Sequence, residues 1–373
     1  MLKALGPRAE QPIRTFLVGE SLAPLQRMLA TSSEIEISGT AKNGKEALEL
    51  IPKNNSQVIC TELEMPVMDG LDLTRGLMAT DPRAILVVSR LGQKEDPDKV
   101  FQLFEAGAIE VFPMSDKENE LAFYASVQEL IKKIKILSGV MVLRRRQILP
   151  DIAMQPMHPL SGDCSQAIPG MVVIGTSTGG PQALKEILAQ LPADFPLPIV
   201  CVQHISQGFL QGLVDWLAVD CSLPIAIAEA EGRPQAGTVY FPPEGRHLKF
   251  DEDGRFLVAD GSKVDTHLPS VTVSFKSAAY RFGSHVIGVL LTGMGEDGVD
   301  GMLAIAGQGG ITIAQNEQTC VVFGMPQRAI EVKAASHILP LQDIASMLIS
   351  TVRLDRGISE KSLAGAMCGH DLK

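Results

Sequence analysis

Three residues in the second half of this chain have the types and surroundings for acyl transfer. Ser177 stands in Gly175-Thr176-Ser177-Thr178-Gly179-Gly180, after the apolar, mostly β-branched run Met171–Ile174 and before Gln182–Leu191, a run of helix formers opened by Pro181. A Gly-x-Ser-x-Gly turn between a strand and a helix lifts the hydroxyl above the sheet edge, and the helix N-terminus offers N–H groups to a developing oxyanion. The same string also suits a phosphate loop or a plain crowded turn, so Ser177 needs partners. His204 follows the apolar run Leu197–Val202, and Asp297 closes Thr292-Gly293-Met294-Gly295-Glu296-Asp297 after the run Val286–Leu291. If these runs are parallel strands, serine, histidine and aspartate meet at one carboxyl edge. Ser177 would attack an acyl carbon, His204 would take the hydroxyl proton, and Asp297 would hold the imidazole tautomer. Backbone N–H groups near Met294 and the serine turn would receive the oxyanion. An isolated histidine at a strand end is more often structural, so the reading depends on all three converging. A nucleotide-binding alternative lacks both Gly-x-Gly-x-x-Gly and a Walker lysine.

The elements that must position these groups follow from the apolar pattern. Residues 13–135 alternate short apolar runs (Thr15–Val18, Ile35–Thr40, Gln57–Cys60, Ala84–Val88, Ile109–Phe112) with helical stretches such as Ala23–Thr31, Gly44–Ile51 and Glu118–Ile136. Five βα units predict a doubly wound parallel sheet, whose ligands bind beyond the carboxyl ends of the strands. Prolines 150, 156, 159 and 169, with the basic run Arg144-Arg145-Arg146, mark a linker. The expected organisation is a first α/β domain over 1–136, a linker over 137–168, a second α/β domain over 169–355 and a tail over 356–373. Residues 223–260 read as a β-rich excursion within the second domain.

Composition narrows the function. The 373 residues are 45% hydrophobic and 20% charged, as in a globular protein, and the net charge of -10 argues against nucleic acid or an anionic membrane surface as the main partner. No apolar run approaches the length of a membrane span, and the polar start, Met1–Pro12, lacks a signal-peptide core. The six cysteines are scattered without Cys-x-x-Cys, and Cys60 and Cys201 lie inside strand-like runs. They read as buried thiols of a cytoplasmic protein, with neither a disulfide frame nor a metal site.

Two stretches resemble known families. Glu62-Leu63-Glu64-Met65-Pro66-Val67-Met68-Asp69-Gly70 is similar to the signature of response-regulator receiver domains, which implies a flavodoxin-like fold for the first domain. That resemblance places the phosphoacceptor at Glu62, where the family has aspartate. It places the Mg²⁺-holding acidic pair at Gly19 and Glu20, the hydroxyl residue at Ser89, and the lysine at Met114. Mg²⁺ demands near-ideal octahedral oxygen geometry, so losing one acid of the pair weakens its site. The extra methylene of Glu62 displaces the carboxylate by roughly 1 Å, a shift that can cost about 10²-fold. A receiver that takes up no phosphate is expected, with Glu62 imitating a charged state beside Arg90, the domain serving only as a docking module, or the old site simply left to drift.

The second resemblance joins the serine turn, Gln203-His204 with Gly208-Phe209, and Thr292–Gly298 with Gly301-Met302-Leu303. Together with Ala314-Gln315-Asn316-Glu317 and Cys320–Pro326, these resemble the catalytic domain of chemotaxis protein-glutamate methylesterases over about 169–353. The resemblance implies a Rossmann-like α/β hydrolytic domain. It implies hydrolysis of glutamyl methyl esters, and deamidation of selected glutamines, on the cytoplasmic helices of chemoreceptors, with no cofactor or metal. Ser177, His204 and Asp297 are then the triad, the Met294 N–H lines the oxyanion hole, and Thr178 lies beside the site. Other chemotaxis signalling proteins are possible partners. Asp265–Ser270 replaces a more basic stretch, and His247 and His267 could line the cleft, although a structural or surface place is the commoner one for such residues. The competing reading is a non-catalytic signalling adaptor, motivated by the altered receiver.

Overall fold

A computed structural model describes residues 11–91, 97–115, 120–140, 142, 170–261 and 267–352. They fall into two compact units. The predicted linker beyond residue 142 and the predicted tail lie outside the described residues.

In the first unit five strands alternate with five helices. The strands are β1 (Ile13–Val18), β2 (Ile35–Ala41), β3 (Val58–Glu62), β4 (Ala84–Leu91) and β5 (Glu110–Ser115), and the helices are α1 (Ala23–Leu29), α2 (Gly44–Leu50), α3 (Gly70–Thr80), α4 (Pro97–Ala106) and α5 (Glu120–Ser138). The order is β2-β1-β3-β4-β5, all parallel. This is the doubly wound order in which the chain reverses direction between β1 and β3. Every residue of β3 is buried, as expected of a central strand covered by helices on both faces. Asp69 caps α3 by accepting the Asp72 N–H at 2.9 Å. Gly70 must lack a side chain, because a Cβ there would stand 2.5 Å from the Glu62 carbonyl oxygen.

The second unit is built on a seven-stranded sheet, ordered β14-β13-β12-β6-β7-β9-β8. Its strands are β6 (Met171–Thr176), β7 (Ile199–Gln203), β8 (Ile225–Ile227), β9 (Val239–Phe241), β12 (Val286–Leu290), β13 (Ile311–Gln315) and β14 (His337–Leu339), all paired in parallel. A separate antiparallel hairpin joins β10 (Arg246–Phe250) to β11 (Phe256–Asp260). Helices α6 (Gly180–Leu188), α7 (Leu210–Ala218), α8 (Val271–Phe282), α9 (Val299–Gly307) and α10 (Met325–Glu331) cover the sheet, and a further helix runs over 341–352. The chain leaves β6 for β7 on one side and later returns to β12 on the other, so the switch point of this sheet lies between β6 and β12. All residues of β6, β7 and β12 are buried. The expected β-rich excursion is only partly separate: β8 and β9 extend the parallel sheet, and the hairpin alone stands apart. Among the described residues no helix is long and apolar enough to cross a membrane.

Candidate active site

The serine turn follows directly from β6. Gly179, at φ 75°, makes the bend that a residue with a side chain rarely adopts, and α6 starts at Gly180. Ser177 is half-buried at the mouth of the switch point, and its N–H donates to the Thr292 carbonyl at 3.0 Å. Thr292 ties this region together. Its carbonyl also accepts the Thr176 hydroxyl at 3.0 Å, its own hydroxyl donates to the Thr178 carbonyl at 3.0 Å, and its N–H donates to Gln315 Oε1 at 2.8 Å. The loops after β6, β12 and β13 are thereby held to one another through buried polar groups, an arrangement stable only when its members are satisfied. Gly293 has no room for a side chain: a Cβ would lie 2.7 Å from Ser177 Cβ.

The β7 turn is fastened to the same place. The His204 N–H donates to the Thr176 carbonyl at 3.0 Å. The Gln203 amide donates to the carbonyls of both Ser177 and His204 at 2.8 Å, so one side chain spans the two turns. His204 Nε2 meets Asp297 Oδ2 at 2.8 Å, with the two side chains only 11% and 8% exposed. This leaves Nδ1 as the free ring nitrogen. It is buried and has no hydrogen-bond partner among the described residues, and the Ser177 hydroxyl is not bonded to it. Unliganded hydrolytic sites are commonly this loose at the nucleophile–base contact.

Asp297 is the most heavily bonded group of the site. Besides His204, it accepts the Val271 N–H at 2.8 Å, the Thr272 N–H at 2.9 Å, the Ser270 hydroxyl at 2.9 Å and the Gly298 N–H at 3.0 Å. The first three come from the start of α8, where Ser270 is the N-cap, so a helix N-terminus supports the carboxylate. Burial acts to raise the Asp297 carboxyl. The hydrogen bond and charge of His204, with the bonds from Thr272, outweigh it and hold the group well below the ordinary carboxylate range. The Met294 N–H, just past Gly293, donates to no acceptor among the described residues and is available to a ligand. Thr178 is buried behind the serine.

Sequence reasoning missed Ser270 as a hydrogen-bond donor to Asp297, and it named His267 as able to line the cleft without assigning it a contact. His267 stacks on His204 with ring centroids 4.2 Å apart and planes within 4°. His247 is structural: its buried Nδ1 accepts the Ser270 N–H at 3.1 Å. His204, His267 and Asp297 bring ligand-type atoms within 4.8 Å of one another. Imidazole lone pairs lie in the ring plane, so two parallel stacked rings cannot direct theirs at one ion.

At the switch point of the first unit the Glu62 side chain turns toward the end of β1. Its Oε2 accepts the Glu20 N–H at 2.9 Å, and the carboxylate is buried. The space it uses is that of an absent side chain, since a Cβ on Gly19 would lie 2.6 Å from Glu62 Cδ. Ser89 is buried nearby on β4, and the lysine position holds the buried, apolar Met114 of β5. The Arg90 side chain, proposed above as a partner for Glu62, lies outside the described residues.

Fold and site together define the class: a carboxylic-ester hydrolase of α/β architecture, carried behind a receiver fold. Residues 172–348 match the CheB methylesterase family and residues 20–122 match the response regulator receiver domain. A protein-glutamate methylesterase/protein-glutamine glutaminase of Carboxydothermus hydrogenoformans is 40% identical over 347 residues, spanning 91% of this chain and 99% of the relative. One from Hahella chejuensis is 38% identical over 326 residues, spanning 87% and 93%. The solved CheB methylesterase catalytic domain of Thermotoga maritima is 39% identical, covers 49% of this chain and 98% of that one, and superposes with a TM-score of 0.48. The chain belongs to the protein-glutamate methylesterase/protein-glutamine glutaminase family.

Proposed function

We propose that this protein hydrolyses glutamyl methyl esters, and deamidates glutamines, on the cytoplasmic helices of methyl-accepting chemoreceptors, through Ser177, His204 and Asp297. The observation that carries this is the His204–Asp297 contact, made by a residue whose backbone is bonded to the serine turn, with Nδ1 left buried and unpartnered. Ser177 Oγ attacks the ester carbonyl while its proton passes to His204 Nδ1, and the negative charge on the carbonyl oxygen is received by the Met294 N–H. Collapse of the tetrahedral intermediate expels the alkoxide, which takes the proton from His204 and leaves as methanol. Water then attacks the acyl-serine, with the same imidazole as base, and glutamate is released. With glutamine the leaving group is ammonia. Asp297 stays ionised throughout and stabilises the imidazolium.

The same reading assigns domain limits of 1–136 and 169–355, separated by a linker, in a cytoplasmic protein. It also makes the receiver unresponsive to phosphodonors. One oxygen of the Glu62 carboxylate is already bonded to the Glu20 N–H, Gly19 supplies no acid for Mg²⁺, and Met114 supplies no cation. The full-length protein is incubated with methylated receptor and methanol release is measured. Turnover is expected, and Ser177→Ala should abolish it; undiminished turnover by that variant rules the assignment out.

A further inference from the structure

We propose that His267 is a positioning residue for the base: its ring holds the His204 imidazole flat, in the plane that keeps Nε2 on Asp297 and Nδ1 toward the serine turn. The proposal rests on the triad reading above and adds a residue to it. The hydrogen bond to Asp297 fixes the imidazole at one nitrogen only. The last torsion of a histidine side chain is soft, so the ring can still turn about the Cβ–Cγ bond and carry Nδ1 out of its plane. A parallel ring at 4.2 Å, tilted by 4°, removes that freedom by covering one face. Edge and face are then held by different groups, which is how a general base stays aligned while it gains and loses a proton.

His267 is itself well placed to act as a fixed plate. It lies three residues before Ser270, whose hydroxyl donates to Asp297 Oδ1 at 2.9 Å and whose N–H is anchored on His247. Pro269 between them is buried. The stacking ring is therefore tied, through a short segment, to the same carboxylate that grips the base from the side. A flat aromatic face meets this requirement; nitrogen chemistry at position 267 does not enter it.

The test measures kcat and KM of the full-length protein on methylated receptor for the unaltered chain, His267→Ala, His267→Leu and His267→Phe. The expected result is a fall in kcat of about 10- to 100-fold for the alanine and leucine variants at little-changed KM. Phenylalanine, flat but without ring nitrogens, should recover most of the loss. Leucine separates a plate from mere filling of space, and it carries the comparison if the alanine variant folds poorly by thermal unfolding. Wild-type kcat in the alanine and leucine variants overturns the proposal, as does a phenylalanine variant no better than alanine. No turnover by the unaltered protein overturns instead the triad reading beneath it, and the proposal with it.

Discussion

Replacing Asp297 with asparagine tests the arrangement most directly, because the side chain keeps its shape while its two ends become unlike. Oδ1 accepts from Ser270, Thr272 and Gly298, and Oδ2 accepts from Val271 and His204. The amide nitrogen of asparagine can take only one of these places. The Oδ2 side is the less costly, setting its two hydrogens against the Val271 N–H and forcing His204 Nε2 to become an acceptor. The ring proton then moves to Nδ1, so the base nitrogen is blocked. Loss of the right tautomer in such a site costs about 10⁴-fold in kcat, roughly 5 kcal/mol of barrier. The Val271 N–H bond to a charged acceptor is lost as well, worth about 1.5–3 kcal/mol, so the second unit should lose about that much stability. Trp216, the only tryptophan of the chain, lies buried on α7, and its fluorescence during urea unfolding reports on that unit. The pH dependence has a definite sign. A carboxyl held below its unfolded value contributes stability that is complete above about pH 4 and is lost as pH falls through the folded value. The stability gap between wild type and Asp297→Asn should therefore be constant near neutrality and shrink below about pH 4. A variant keeping a tenth of wild-type kcat, or a gap that widens in acid, would refute the reasoning.

Two other substitutions probe the switch points. Gly293→Ala would put a Cβ 2.7 Å from Ser177 Cβ and 2.5 Å from the Met325 sulfur. It should push the nucleophile out of line and lower kcat by about 10²-fold, read by methanol release, while the Trp216 unfolding transition stays cooperative. Gly19→Ala would drive Glu62 off the Glu20 N–H and cost the first unit about 1–3 kcal/mol, measured by chemical unfolding followed by circular dichroism. The unaltered chain should take up no label from a small-molecule phosphodonor with Mg²⁺, and stoichiometric labelling by mass spectrometry would contradict the account of Glu62.

Much of this was legible in the residues, and the exceptions have physical causes. Alternation of short β-branched runs with helical periods reveals both parallel sheets, because strands buried on two faces must be apolar throughout. The turns bearing Ser177, His204 and Asp297 were legible as strand ends. β8 and β9 were legible as strands of the excursion but not as members of the parallel sheet, since runs as short as Ile225–Ile227 and Val239–Phe241 carry no period that tells a parallel edge from a hairpin. Ser270 is the N-cap of α8, and a cap's hydroxyl ordinarily serves its own helix. Only the fold brings that helix N-terminus against Asp297. The stacking of His267 on His204 was not legible for a related reason: a partner 63 positions away leaves no spacing to detect.

The two switch points use glycine to opposite ends. At the second, Gly293 lets the β12 loop close on Ser177 without covering the hydroxyl, Gly179 takes the turn, and the buried threonines and Gln315 hold the loops apart from the reacting groups. Behind the site most polar atoms are satisfied, Gln203 Oε1 being an exception, while His204 Nδ1 and the Met294 N–H have no partner among the described residues. Buried polar groups left without partners cost free energy, and a site that recovers that cost on binding gains its specificity from the same atoms. At the first switch point Gly19 does the reverse. It vacates a side-chain position, and Glu62, one methylene longer than aspartate, folds into it and satisfies its carboxylate on backbone. The first switch point thus ties its acid to its own backbone, and the second leaves the nitrogen of its base unbonded.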